Sequence, residues 1–185
     1  TITAITDENT IIPEGKTSKE LINSAVELGE KQEGDIYFQF DVGSNFFLEI
    51  AKLKAFRILW KNKTGKDAFI LTQTSKNNKE TEFEYNNLIR TTTECISAIF
   101  GGANGILIHS FSNKKSDFSE RIARNQQTIL RKESYLDKVK NPTKGSYYVE
   151  YLISEILRGN EIYEIKNAEN YISEWTSAEG INIKT

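Results

Sequence analysis

Four short runs of β-forming residues recur along the chain, at 2–6, 36–40, 68–72 and 106–111. The second run, Ile36-Tyr37-Phe38-Gln39-Phe40, is apolar almost throughout instead of alternating with polar residues. That pattern is typical of a strand covered on both faces in a parallel sheet. The run centres lie about 32 to 37 residues apart, the length of one strand, one covering helix and two short loops.

Between these runs the apolar residues follow a helical period. The first helix is predicted to begin at Thr17, whose hydroxyl can form a capping box with the Glu20 carboxylate, and to end at Gly29. Its predicted buried stripe contains Leu21, Ala25 and Leu28. Three other helices are predicted at about residues 44–61, 85–100 and 148–158. Between the last two of these, a further helix is predicted to start near Asp117 and to continue past Leu136.

The predicted order is βαβαβαβα, followed by one more helix. Parallel crossovers of this kind form either an open doubly wound sheet or part of an eight-stranded barrel, and a complete barrel needs about 250 residues. We therefore predict an α/β fold, a (β/α) repeat with parallel strands that amounts to about half of a TIM-type barrel. This partial barrel is predicted to span residues 1–158, with an irregular C-terminal tail at 159–185.

Charge and composition narrow the functional classes. Lys and Arg together number 24 against 26 Asp and Glu, for a net charge of −2, which excludes a basic nucleic-acid tail. No apolar run approaches the roughly 18 residues that span a bilayer, and no export signal opens the chain. We expect a cytoplasmic protein without a nucleic-acid or membrane partner. The complete absence of Met indicates a fragment or a processed piece.

Generic catalytic motifs are missing. The chain has no glycine-rich dinucleotide or phosphate loop, and one His with one Cys predicts no metal site. Cys95 lies on a helical apolar stripe, where a buried structural role is expected. His109 follows the fourth strand at the edge where barrel enzymes place their sites, so it is a candidate acid or base, with a hydrogen-bonded structural side chain as the alternative.

A few cations are candidates for anion binding. Arg121 and Arg124 share one helix face and can hold a phosphate, or else pair with neighbouring carboxylates. Lys114 and Lys115 follow the fourth strand, where anionic ligands commonly approach, although a solvated loop is the alternative.

Several segments resemble one family in order and spacing. Residues 45–60, NFFLEIAKLKAFRILW, are similar to the N-F-F-x-E-I-A-K-x-R-A-x-R-x-L-W helix of methylmalonyl-CoA mutases. Five shorter segments also match motifs of this family. Residues 87–94 match N-x-x-R-x-T-x-E, residues 101–103 match G-G-A, and residues 121–125 match R-I-A-R-N. Residues 133–134 match E-S, and residues 141–150 match D-P-x-x-G-S-Y-Y-V-E. Together they span about residues 36–152.

The resemblance implies a barrel that holds a CoA ester and works with adenosylcobalamin bound by a separate domain or partner chain. In this family a radical moves the thioester group between adjacent carbons, which interconverts succinyl-CoA and methylmalonyl-CoA. The cobalamin signature D-x-H-x-x-G is missing from this chain. We therefore expect this chain to bind no cobalamin itself.

Two departures concern the site. In the run that resembles L-R-T-H-S-Q-T-S, Phe69 stands at the arginine and only Gln73-Thr74-Ser75 remain. In the strand after the double glycine, Leu107 stands at the histidine of S-L-H-T-N. Phenylalanine cannot neutralise a substrate carboxylate. The pattern is thus similar to the small, non-catalytic subunit of heterodimeric methylmalonyl-CoA mutases, which pairs with a catalytic subunit.

Two other hypotheses remain open. One is an active fragment in which His109, on the same strand face as Leu107, and Gln73 contact the ester, with Thr74 and Lys114 as further substrate-binding candidates. The other is a self-associating half-barrel, a dimer that binds CoA esters without changing them. The tail adds the segments LRGN and WTSAEGI, which resemble segments that precede the barrel in this family.

Overall fold

The computed structural model describes residues 9–114 and 116–159, together with the backbone of two short strands at 174–176 and 182–184. The strand predicted at 2–6 lies outside the described residues. The elements of the repeat are β1 (Thr10–Ile11), α1 (Ser18–Glu30), β2 (Tyr37–Val42), α2 (Phe46–Thr64), β3 (Phe69–Thr74), α3 (Asn86–Gly101), β4 (Gly105–Leu107) and α4 (Asp117–Lys132). A 3-10 turn at Leu136–Lys138 and α5 (Tyr147–Leu157) follow.

Strands β1 to β4 form one parallel sheet in the order β1-β2-β3-β4. Each strand lies beside the strand that precedes it in sequence, with no reversal of strand order. A doubly wound sheet needs such a reversal, whereas a (β/α) barrel proceeds in one direction. The predicted fold, an α/β repeat equal to about half of a TIM-type barrel, is confirmed.

The main core lies between one face of the sheet and the helices. Phe38, in β2, packs its ring edge-on against Phe56 at 4.7 Å and Trp60 at 4.8 Å, both in α2. Gly29 of α1 completes this contact, since a Cβ built there would lie 2.7 Å from the Trp60 ring. Helix α2 is covered by the sheet, α3 and α5, which explains why it is apolar on several sides.

Local signals predicted the start of α1 and the end of α3 correctly. Thr17 caps α1 with the expected box, because its side chain accepts from the Glu20 N–H while the Glu20 carboxylate accepts from the Thr17 N–H. Gly102 ends α3 in the left-handed region at φ 84°, where glycine has no steric cost. For α4 the cap is Ser116, which shares a box with Ser119.

Three predicted details are wrong. Leu28 is 41% exposed, because the core side of α1 is formed by Ile22, Ala25 and Val26. Helix α4 ends at Lys132, so Leu136 opens a separate 3-10 turn, and β4 ends at Leu107 instead of continuing to 111. Tertiary packing, which the local pattern does not contain, determines which side of α1 faces the core and where α4 and β4 end.

The C-terminal segment predicted to be irregular contains the antiparallel pair β5 (Glu174–Thr176) and β6 (Asn182–Lys184). The domain limits at 158 and 159 stay a prediction. Among the described residues, no helix combines the length and apolar character that a membrane crossing requires.

Candidate functional site

The sheet face opposite the helices carries the residues that resemble the family site. Asp41, Gln73 and Leu107 lie side by side in register on β2, β3 and β4. The Gln73 Nε2 donates to Asp41 Oδ1 at 2.5 Å. This row lies at the carboxyl ends of the strands, the edge where barrel enzymes bind substrates.

Phe69 lies at the opposite end of the same face. Its ring is 42% exposed and contacts Tyr37 edge-on, with ring centroids 5.2 Å apart. Phe69 pairs in register with Tyr37, whereas Leu107 pairs with Gln73. Four strand residues separate the two levels, so Phe69 and Leu107 lie roughly 13 Å apart along the strands. The two substituted positions therefore do not form one compact cluster.

Leu71 is a position that sequence reasoning missed. It lies on this face between Phe69 and Gln73 and is buried. In the family run L-R-T-H-S-Q-T-S, the histidine falls on Leu71. The alternation of β3 residues was the signal that could have identified it. The face thus presents apolar side chains at three positions, Phe69, Leu71 and Leu107, where the motifs have polar ones.

The predicted substrate contacts do not converge. Gln73 and Thr74 are adjacent in β3 and therefore face opposite sides of the sheet. Thr74 is buried on the helix side, where its Oγ1 accepts from the His109 N–H at 2.9 Å. Lys114 lies exposed on the loop after β4, where its N–H donates to Ser112 Oγ at 3.1 Å.

His109 follows the end of β4 and is half-buried. Burial lowers the pKa of its imidazole, Lys76 and Lys79 lower the pKa further, and Asp41 acts in the opposite direction. Its Nε2 is shielded from solvent and has no hydrogen-bond partner among the described residues. The ring is therefore held neutral, without a group that would accept or deliver a proton at Nε2.

Helix α2 uses its family-like residues to join elements of the fold. Asn45 caps the helix by accepting from the Leu48 N–H at 3.4 Å. The buried Lys52 donates from Nζ to the Asp41 carbonyl oxygen at 2.9 Å. The same Nζ forms an ion pair at 2.5 Å with Glu49 Oε2, an oxygen that makes no hydrogen bond of good geometry within the described part of the chain.

Arg57 connects α2 to the double-glycine turn. Its guanidinium donates to the carbonyl oxygens of Ala68 and Gly102, both at 2.7 Å, and to Asn104 Oδ1 at 3.0 Å. Asn104 Oδ1 also accepts from the Ile70 N–H at 2.9 Å. The arginine of the motif therefore holds α2, β3 and the start of β4 together.

The motif of α3 is structural as well. Asn87 is buried and donates through Nδ2 to the carbonyl oxygens of Glu80 and Phe111, both at 2.8 Å. Arg90 donates to Asn87 Oδ1 at 2.9 Å and forms a close ion pair with Glu80. These contacts fasten the loops after β3 and β4 to the helix.

A buried charge network joins the loop after β3 to α3. Lys79 Nζ lies 2.8 Å and 2.9 Å from the two carboxylate oxygens of Glu94, and Asn78 Nδ2 donates to Glu94 Oε1 at 2.6 Å. Burial raises the pKa of Glu94, whereas the hydrogen bonds from Lys79 and Asn78 counteract this rise.

The segment before α5 is held against α2. Lys54 Nζ donates to Asn141 Oδ1 at 2.6 Å and to the Thr143 hydroxyl. The N–H of Gly145, at φ 84°, donates to Glu150 Oε1 at 2.8 Å. The polar residues of the D-P-x-x-G-S-Y-Y-V-E match therefore dock α5.

The remaining candidates do not assemble a site. Arg121 lies over the Phe118 ring at 5.7 Å, while Arg124 lies 4.0 Å from Glu120. Burial raises the pKa of Cys95 to about 12, so its thiol is protonated at neutral pH. The described residues include no group of three His, Cys, Asp or Glu side chains that could hold a metal ion. Lys115 lies outside the described residues.

The described residues do not fit adenosylcobalamin. The sequence has one histidine, His109, and its Nε2 is shielded from solvent. An imidazole nitrogen shielded in this way would not be available as a ligand to cobalt. We therefore derive no chemical step through the cofactor in this chain.

Comparisons with known proteins agree with the motifs. The family model for methylmalonyl-CoA mutase matches residues 20–170. The methylmalonyl-CoA mutase small subunit of Porphyromonas gingivalis is 40% identical, over 79% of this chain and 26% of that protein. Methylmalonyl-CoA mutase of Rhizobium meliloti is 41% identical, over 66% and 19%, and that of Escherichia coli is 34% identical, over 75% and 22%. The chain thus spans about a quarter or less of the length of these relatives, and it belongs to the methylmalonyl-CoA mutase family.

Proposed function

We propose that this chain is a small-subunit-like barrel segment of an adenosylcobalamin-dependent methylmalonyl-CoA mutase. In this proposal it does not catalyse the isomerisation of succinyl-CoA and methylmalonyl-CoA but supports a catalytic partner subunit, which binds the cobalamin. The observation that carries the proposal is the sheet face itself. At the three positions where the family motifs have an arginine and two histidines, this face presents Phe69, Leu71 and Leu107.

Electrostatics explains why this face is unsuited to the substrate. A dicarboxylic acyl-CoA presents a free carboxylate, and leaving that carboxylate buried without a cation costs several kcal/mol. The charged side chain in the row at the carboxyl ends of the strands is Asp41, which has the same sign as the substrate. The polar residues of α2 and α3 that match the family motifs are instead engaged in holding the fold.

The test is an activity assay of the chain alone and together with a catalytic mutase subunit, each with adenosylcobalamin and succinyl-CoA. We expect no turnover from the chain alone, and co-elution with the catalytic subunit. Turnover by the chain alone would reject the proposal.

The alternative of an active fragment requires His109 and Gln73 to contact the ester. The half-buried, neutral imidazole and its unpartnered Nε2 disfavour that role. We expect His109→Ala to leave the rate of the reconstituted mixture unchanged. A large loss of kcat in that variant, with the complex intact on a sizing column, would favour the active fragment instead.

A further inference from the structure

The turn between α3 and β4 contains Asn104 followed by Gly105, the one Asn-Gly pair in the sequence. Asn104 is exposed and lies at a bend directly before β4. The side-chain amide of an asparagine can react with the main-chain nitrogen of the next residue to form a cyclic imide, a succinimide. Glycine favours this reaction because it has no Cβ to hinder the approach and can adopt the conformation that the ring requires. The turn therefore contains a pair of residues that can modify itself.

The side-chain oxygen of Asn104 is held by two donors. Arg57 Nη2 donates to Oδ1 at 3.0 Å, and the Ile70 N–H donates to the same oxygen at 2.9 Å. Both partners are donors only, so the contacts identify this atom as the oxygen of the amide and use both of its lone pairs. The N–H of Asn104 in turn donates to the Ile70 carbonyl oxygen at 2.7 Å, which fixes the residue beside β3.

These two donors lie where negative charge develops during the reaction. When the Gly105 nitrogen attacks Cγ, the carbonyl oxygen Oδ1 becomes an oxyanion in the tetrahedral intermediate. A guanidinium and a main-chain N–H that already point at this oxygen stabilise the charge, as the donors of an oxyanion hole do. Arg57 is kept in position by further bonds to the carbonyl oxygens of Ala68 and Gly102, both at 2.7 Å. All of these groups belong to α2, the start of β3 and the α3–β4 turn.

A second asparagine beside α2 provides a comparison. Lys54 Nζ donates to Asn141 Oδ1 at 2.6 Å, so this oxygen also has a cation beside it. The next residue is Pro142, whose ring nitrogen carries no hydrogen. Asn141 therefore cannot close a neutral succinimide. Of these two asparagines, Asn104 alone combines a held side-chain oxygen with a reactive neighbour.

We propose that Asn104 is a self-modification site, at which the Arg57 guanidinium and the Ile70 N–H promote deamidation by Gly105. The Gly105 N–H gives its proton to hydroxide, and its nitrogen forms a bond to Cγ. The bond from Cγ to Nδ2 then breaks, and Nδ2 takes a proton from water and leaves as ammonia. Water next opens the imide at one of its two carbonyls, which gives aspartate or isoaspartate. This inference does not depend on the mutase proposal.

Both products add one carboxylate to the turn. Aspartate keeps the course of the main chain and places a negative charge beside the Arg57 guanidinium. Isoaspartate routes the main chain through Cγ and so lengthens it by one carbon directly before β4. The reaction therefore changes the charge, and in part the main chain, at the point where α2, β3 and β4 meet.

Peptide mapping by mass spectrometry tests the proposal. The full chain is incubated at mildly alkaline pH in native buffer and in denaturing guanidinium chloride, and the deamidated fraction of the Asn104 peptide is followed with time. We expect faster conversion in the native chain than in the denatured chain, because only folding brings Arg57 and the Ile70 N–H to Oδ1. The Asn141 peptide is the internal reference and should stay unmodified.

Arg57→Gln removes one of the two donors. It should slow the conversion of Asn104 at least about tenfold in the native chain and leave the rate in denaturant unchanged. The matched control is Lys54→Gln, which removes the α2 cation at Asn141 and should leave the Asn104 rate unchanged. Circular dichroism checks that each variant is folded, and if Arg57→Gln is not, the comparison of native and denatured unaltered chain is sufficient. Slower conversion in the native than in the denatured chain, or equal native rates for the unaltered chain and Arg57→Gln, would overturn the proposal. Equal slowing by Lys54→Gln would overturn it as well.

Discussion

Lys79 Nζ lies between the two carboxylate oxygens of Glu94, at 2.8 Å and 2.9 Å, and the side chains are only 5% and 0% exposed. The lysine comes from the loop after β3 and the glutamate from the middle of α3. The pair therefore fastens the loop at the carboxyl end of the sheet to the helix behind it.

Glu94→Gln should destabilise the protein by about 3–5 kcal/mol, because it leaves the Lys79 ammonium buried without a counter-ion. The combined change Lys79→Met with Glu94→Leu should cost less than Glu94→Gln, since no unpaired charge remains. Urea denaturation measures both. As a control, Glu120→Gln removes an exposed ion pair with Arg124 and should change the free energy of unfolding by less than about 1 kcal/mol. Equal effects of Glu94→Gln and Glu120→Gln would contradict the prediction.

Gly29→Ala should destabilise the protein although it replaces a helical glycine. The new Cβ would lie 2.7 Å from Trp60 Cζ3 and 3.0 Å from Phe38 Cε1, two buried rings that pack against each other. Overpacking of this kind typically costs about 1–3 kcal/mol, more than the 0.5–1 kcal/mol that alanine contributes to a helix.

Gly43→Ala is the matched control for Gly29→Ala. A Cβ at this position meets only Glu49 Oε1, at 3.5 Å, which is an ordinary contact. Thermal denaturation should show a lower Tm for Gly29→Ala and little change for Gly43→Ala. The reverse order of the two Tm values would refute the packing described around Trp60.

His109 should make stability depend on pH. Because burial lowers the pKa of His109 in the folded state, the unfolded state binds the proton more readily below its ordinary pKa of about 6.5. The stability from the neutral ring is present above that pH and is lost as the pH falls through the folded-state pKa.

Comparing the stability of the unaltered chain with that of His109→Gln at each pH separates the contribution of the imidazole from that of the carboxylates. Urea midpoints between pH 8 and pH 5 should fall more steeply for the unaltered chain than for the variant. Parallel curves would show that the imidazole titrates alike in both states.

Cys95 should resist thiol reagents in the folded protein. Burial raises the pKa of its thiol to about 12, so almost no thiolate is present at pH 8, and the side chain is 2% exposed. Ellman's reagent should react slowly with the native chain and rapidly in denaturing urea. Rapid reaction of the native chain would mean that the cluster of Cys95, Ile108, Ala123 and Leu130 opens readily.

Local features explain how much of the fold was predictable. The capping box of Thr17 and Glu20 and the left-handed Gly102 each depend on atoms within a few residues, so the pattern located these helix ends. The parallel strands β2, β3 and β4 were recognisable from their apolar runs, whereas β1 (Thr10–Ile11) was not among the predicted runs. The side of α3 that faces the sheet was not predictable, since Asn87, Thr91 and Glu94 are buried there by partners outside the helix.

In the candidate site, too, some features were predictable from the sequence and others only from the structure. Sequence motifs identified Phe69 and Leu107 as substituted positions. The same motif has a histidine at Leu71, and the structure shows Leu71 between Phe69 and Gln73 on one sheet face. Motif residues such as Arg57 and Asn87 resembled functional residues in sequence, whereas their hydrogen bonds assign them to the fold. A motif records residue types, and only the positions of distant partners reveal what each residue contacts.

The sequence by itself determined the helices, the strands β2 to β4, their alternation and the family, because capping, periodicity and motif spacing act over short stretches of chain. Only the tertiary structure decided that Phe69 and Leu107 lie at opposite levels of one sheet face. Strand register joins residues more than thirty positions apart. It is determined by how the buried faces of the sheet and helices pack against one another, which no single stretch of sequence specifies.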